Sequence, residues 1–190
     1  MSRKKKNYKK VSSNEVTANT NNIPTEDKKE FFYILVAGSR TFKEYDVIEK
    51  YLDLELSIAG ITPDKYYITI VEGEADGVDL LAKEYAFKHN YAVRGFHAQW
   101  QLYGNQAGFI RNEQMHKYLA ENSNRLCICF KHYLSNGKGT SHSIELGKKY
   151  GTNVVWYDIS EGNSMNRVYY DNSNDVAPVE DSYYRFNEGE

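Results

Sequence analysis

The chain has 190 residues, 41% hydrophobic and 26% charged, enough for one globular domain with its own core. A formal net charge of -2 removes any global electrostatic case for nucleic-acid binding. No apolar run approaches the roughly 20 residues that span a bilayer, and the basic start lacks a signal peptide's apolar stretch. A cytoplasmic location without a membrane partner is therefore expected.

The opening MSRKKKNYKK is strongly basic, and the following VSSNEVTANTNNIPTEDKKE is polar and poor in large apolar groups. Such a segment buries too little surface to offset its ordering entropy, so residues 1–29 are expected to form a disordered tail. Five short β-rich apolar runs follow: FFYILVA from 31, YYITIV from 66, YAVRGF from 91, RLCICF from 125 and TNVVWYDI from 152. Nearly continuous apolar character is what strands covered on both faces require.

Helical spacing fills the gaps between these runs. Val47, Ile48, Tyr51, Leu52 and Leu56 share one face, as do Val78, Leu81, Ala82, Tyr85 and Ala86. The third gap carries Ile110, Met115, Tyr118 and Leu119; the fourth carries Ile144 and Leu146, with Gly151 as a stop. The alternation predicts an α/β domain over residues 30–160, a Rossmann-like parallel sheet of about five strands with helices on both faces. Residues 161–190, acidic and containing tyrosines, are expected to be a second tail. Strand alternation puts Cys127 and Cys129 on one face, and they read as buried core cysteines.

Each of the first four strands is followed by a loop with glycine and polar groups: AGSRTF, EGEADGVD, HAQWQLYGNQAGFIRN and KHYLSNGKGTSHS. In a doubly wound sheet these loops share one edge, and ligands settle where the winding reverses. With strands one and four adjacent, Gly38, Ser39 and Arg40 face Gly139 and Thr140 across a crevice. Glycines let the backbone approach an anion, and the first amides of the following helix point outward. Thr140, Ser141 and Ser143 add hydroxyls. The alternative for this stretch is a plain helix cap.

Other positions also carry two readings. Arg40 can reach a phosphate or pair with Glu44 or Asp46. Arg111 is a phosphate or ribose contact, or a solvated helix charge. Asp76 and Asp79 flank Gly77 at a helix start and can act as caps. Trp100 and Tyr103 can stack on a base or cover the sheet edge. The histidines lack metal-like spacing, and neither a metal nor a cofactor is expected. Glu145 lies beyond the first turn of its helix, displaced from the crevice.

VAGSRTF, VEGEADGVDLLAKEYA, AGFIRNEQM and KGTSHSIELG, in this order, resemble the YspA-related branch of the SLOG superfamily. These are Rossmann-like proteins related to the Lonely guy phosphoribohydrolases and the DprA Rossmann domain. The resemblance covers roughly residues 33 to 157 and implies a nucleotide or nucleotide-derived ligand, of the NAD or ADP-ribose type among others. It implies a site made of Gly38, Ser39 and Arg40; Gly73, Gly77 and Asp79; Trp100, Arg111 and Asn112; and Gly139 and Thr140. Two departures stand out. Gly73-Glu74 replaces a double glycine, and His97-Ala98-Gln99-Trp100 replaces Pro-Ala-Asp-Trp. Glu74 would repel a phosphate but can accept hydrogen bonds from ribose hydroxyls.

The expected function is binding of a phosphate-bearing nucleotide ligand for sensing or sequestration. One alternative is an N-glycosidic phosphoribohydrolase of nucleoside monophosphates, with Glu74 and Asp79 as candidate catalytic carboxylates. The glutamate that Lonely guy enzymes carry soon after Gly-Thr is missing: Ser141, His142 and Ser143 stand there. A DNA-associated factor is the other alternative, although the charge balance makes nucleic acid an unfavoured partner. Assembly as a homodimer or other homo-oligomer is left open.

Overall fold

The computed structural model describes residues 28–134, 137–161 and 164–173. The basic start over residues 1–27, and the acidic end from 174 with Tyr183 and Tyr184, lie outside the described residues. The elements run β1 (Glu30–Gly38), α1 (Tyr45–Ile58), β2 (Tyr66–Glu72), α2 (Val78–Lys88), β3 (Ala92–Gly95) and α3 (Trp100–Tyr103). After a 3-10 turn come α4 (Ala107–Ala120), β4 (Arg125–His132), α5 (Lys138–Lys149), β5 (Val154–Ile159) and β6 (Met165–Tyr170). Strand order is β3-β2-β1-β4-β5-β6. Every pairing is parallel except that of β5 with β6. This is the expected Rossmann-like α/β architecture, with six strands rather than about five.

Residue parity in the central strands builds the two layers. Ile34 and Val36 of β1 face one way and pack with Ile48 and Leu52 of α1 and Ala82 and Tyr85 of α2. Leu35 and Ala37 face the other way and pack with Met115 and Leu119 of α4 and Ile144 of α5. Ile34, Leu35 and Val36 are all fully buried. Burial of each such side chain stabilises the fold by roughly 1.5–3 kcal/mol. Cys127 and Cys129 are fully buried in the second layer as free thiols, their Sγ atoms 3.7 Å apart.

The sixth strand corrects the reading of residues 161–190 as tail. Residues 165–170 pair antiparallel with β5, Ile159 opposite Met165 and Val154 opposite Tyr170. A buried ion pair ties this strand to α1: Arg167 donates from Nε to Glu55 Oε1 at 2.7 Å and from Nη2 to Oε2 at 2.9 Å. Tyr157 also donates to Glu55, which is only 2% exposed. Among the described residues no helix is long and apolar enough to cross a membrane.

Candidate functional site: a cleft at the β1/β4 strand ends

The winding reverses between β1 and β4, whose ends are stitched together by the Ser39 N–H donating to the Phe130 carbonyl at 2.9 Å. Gly38 makes this closeness feasible. A Cβ there would lie 2.5 Å from the Phe130 oxygen and 2.7 Å from a methyl of Val78. Above this junction opens a cleft of about 510 Å³. Gly38, Ser39 and Arg40 border it on one side, and Gly139 and Thr140 on the other.

α5 begins at Lys138 after Gly137, which adopts a left-handed φ of 61°. The first helical bond closes from the Ser141 N–H to the Gly137 carbonyl at 2.8 Å. The amides of Gly139 and Thr140 therefore precede the helical ladder and have no backbone partner among the described residues. A Cβ at Gly139 would meet nothing within 4 Å, so packing does not demand glycine there.

Asp79 and Arg111 hold the cleft's floor. Both are buried, at 3% and 7% exposure. Asp79 Oδ2 accepts the Gly73 N–H at 3.2 Å and Arg111 Nη1 at 3.4 Å. It thereby joins the loop after β2 to the start of α2 and to α4. Burial pushes its carboxyl above the usual range, while Arg111 and the amides pull it back down. Arg111 also donates to the Gly73 carbonyl, and its Nε donates to Asn112 Oδ1 at 3.0 Å. Asn112 passes the connection on, donating to the Gly139 carbonyl at 3.1 Å. One polar chain thus runs from α2 to the start of α5. A Gly73 side chain would collide with the Arg111 guanidinium.

Arg40 is exposed and lies over the indole of Trp100, its guanidinium carbon 5.3 Å from the ring centroid. Among the described residues no ion pair joins it to Glu44 or Asp46. Glu74 carries a left-handed φ of 54°. Its N–H donates to Glu72 Oε2 at 2.5 Å, and its own Oε2 lies 3.1 Å from His97 Nδ1. Glu72 is fully buried, Oε1 has no partner among the described residues, and burial raises its carboxyl above the ordinary range.

Nine of the thirteen ligand positions read from the sequence border the larger cleft: Gly38, Ser39 and Arg40, then Asp79 and Trp100, then Arg111, Asn112, Gly139 and Thr140. Gly73 and Glu74 border a smaller neighbouring cleft. Gly77 and Ser141 border neither. Gly77 stands behind the site, where its φ of 77° and lack of a side chain let the Ser39–Arg40 backbone pass. Asn105 and Phe109 also line the larger cleft and were not read from the sequence. His142 packs edge-on against Phe109 at 4.9 Å, and Glu145 is exposed; neither borders a cleft. His116 sits fully buried between α4 and α5, its Nε2 2.8 Å from Ser143 Oγ, and burial pushes its pKa down to about 4.

Residues 32–103 match the family described as YAcAr: YspA, cpYpsA-related SLOG family. The match supports the YspA-related SLOG branch. The matched stretch carries β1 from Phe32, α1, β2, α2, β3 and α3, and with them Arg40, Glu74, Asp79 and Trp100. The chain is also similar to the Gene 61 protein of Mycobacterium phage D29, at 28% identity over 127 residues. That similarity spans 64% of this chain and 93% of the phage protein.

Proposed function

We propose that this YspA-related SLOG protein binds a nucleotide or nucleotide-derived phosphate ligand, with the phosphate at the start of α5, for sensing or sequestration. One observation carries the reading. The end of β1 at Gly38 with the Ser39–Arg40 turn, and the unladdered amides of Gly139 and Thr140, face each other across a single cleft at the reversal of the sheet. A helix N-terminus facing a glycine turn favours an anion, and the nearby Arg40 favours it further. SLOG membership is consistent with nucleotide-related binding or with phosphoribohydrolase activity.

The hydrolase reading needs a carboxylate beside the scissile glycosidic bond. Asp79 is buried, and its Oδ2 is engaged by Arg111 and the Gly73 N–H. Glu74 lies in the neighbouring cleft, and the residues after Thr140 supply no carboxylate to the larger one. Binding without rapid turnover is the consequence.

The test exposes the full chain to nucleoside monophosphates, NAD and ADP-ribose, with calorimetry for affinity and chromatography for released base and ribose 5-phosphate. The expected result is binding of at least one compound and its recovery unchanged. Multiple turnovers that vanish in Glu74→Gln or Asp79→Asn would replace the binding reading with the hydrolytic one.

A further inference from the structure

Beyond Arg40 and Trp100 lies a second cleft of about 170 Å³, bordered by Glu74, Asp76 and His97 and sharing Arg40, Trp100 and Arg111 with the first. Adjacent spaces with common walls can hold two parts of one ligand. Their chemistry differs. The larger space presents helix-start amides, the hydroxyl-bearing Ser39 and Thr140, and one carboxylate, Asp79, that is paired with Arg111, whereas the smaller adds the Glu74 and Asp76 carboxyl groups. An anion is favoured in the first and opposed in the second. A neutral diol has the complementary preference, because its hydroxyls donate to carboxylate oxygens in strong charge-assisted bonds. The volume equals that of roughly five or six liquid waters, which suits one sugar ring and not a whole nucleoside.

Glu74 is held in place for such a contact from three sides. Its left-handed backbone, unfavourable for a side chain with a Cβ, is fixed by the N–H bond to buried Glu72. His97 Nδ1 orients one carboxylate oxygen. The other lies 2.7 Å from where a Cβ on Gly95 would stand, so the glycine at the end of β3 clears the room that this carboxylate occupies.

We propose that the smaller cleft receives the ribose of the ligand, Glu74 accepting hydrogen bonds from its 2′- and 3′-hydroxyls. The ligand class is then ribonucleotide and not deoxyribonucleotide. This rests on the nucleotide-binding reading above. Arg40 and Arg111 border both spaces, between the phosphate seat and the sugar.

The test is calorimetry of the full chain with matched pairs of nucleoside 5′-monophosphates and their 2′-deoxy counterparts, for adenine, guanine, cytosine and uracil. For the base that binds best, the ribo form is expected to bind about tenfold or more tighter, since hydrogen bonds to a charged group contribute at least that much. Glu74→Gln, confirmed folded by circular dichroism, is expected to weaken only the ribo form and bring the ratio near one. Glu145→Gln, at an exposed position bordering neither of the two clefts, is expected to leave the ratio unchanged. Equal binding of ribo and deoxy forms overturns this proposal alone, as does discrimination that survives Glu74→Gln. If no pair binds and NAD and ADP-ribose also fail, the nucleotide-binding reading falls and this proposal falls with it; if NAD or ADP-ribose alone binds and Glu74→Gln leaves its affinity unchanged, this proposal falls and that reading stands.

Discussion

At Gly73 a buried guanidinium lies against the backbone where a side chain would stand. Arg111 reaches across the loop after β2 to the Gly73 carbonyl and to Asp79, and any side chain on residue 73 would strike it. Gly73→Ala is therefore expected to displace Arg111, costing about 1–3 kcal/mol of stability through overpacking. It should also weaken nucleotide binding, because Arg111 lines both clefts. Urea unfolding and calorimetry on the same preparation check both effects. Unchanged values in both would show that Arg111 is not anchored there. Glycines and hydroxyls before a helix made Gly139 and Thr140 legible in the sequence. The link from Asp79 to Arg111 was not, because it joins residues 32 positions apart and no local pattern encodes it. Gly77 and Ser141 share the composition of ligand-binding positions, yet local backbone requirements explain them. Gly77 gives way to the β1 loop, and the Ser141 N–H is already spent within α5.

Among the elements, β1, β2, β4 and β5 were legible because their runs are apolar enough to be covered on both faces. β6 breaks that pattern. It is an edge strand in which only Val168 is buried, and its sequence MNRVYY lies in a polar stretch. The chemistry that secures it is equally distant in sequence, since Arg167 pairs with Glu55 112 positions away. Removing the guanidinium leaves a buried carboxylate facing Tyr157 with its charge uncompensated. Arg167→Ala is expected to destabilise the protein by about 3 kcal/mol. The cost should shrink in Arg167→Ala combined with Glu55→Gln, because the second change removes the stranded charge. Chemical denaturation of the single and double variants measures this. A single variant as stable as the parent would mean that the pair does not hold β6 to α1.

For the molecule as a whole, strand order decides where the chemistry gathers. Placing β1 beside β4 brings together loops that are about a hundred residues apart in sequence, and the cleft opens between them. The described chain begins and ends at the opposite edge of the sheet. Glu30 pairs with the start of β2, and Tyr170 with the start of β5. Among the described residues the cleft is made by strand-end loops and helix starts, and Gly139 at its mouth is open to direct test.

Gly139 borders the cleft, and a Cβ there meets nothing. Gly139→Asp should fold like the parent while setting a negative charge at the anion seat, where repulsion of a bound phosphate amounts to about 2 kcal/mol or more. The decisive measurement is calorimetry of parent and Gly139→Asp with whichever nucleotide the parent binds, alongside a thermal melt of each. The account predicts matching melts and at least about a thirtyfold loss of affinity. Matching melts with unchanged affinity would contradict it and remove the phosphate from the start of α5.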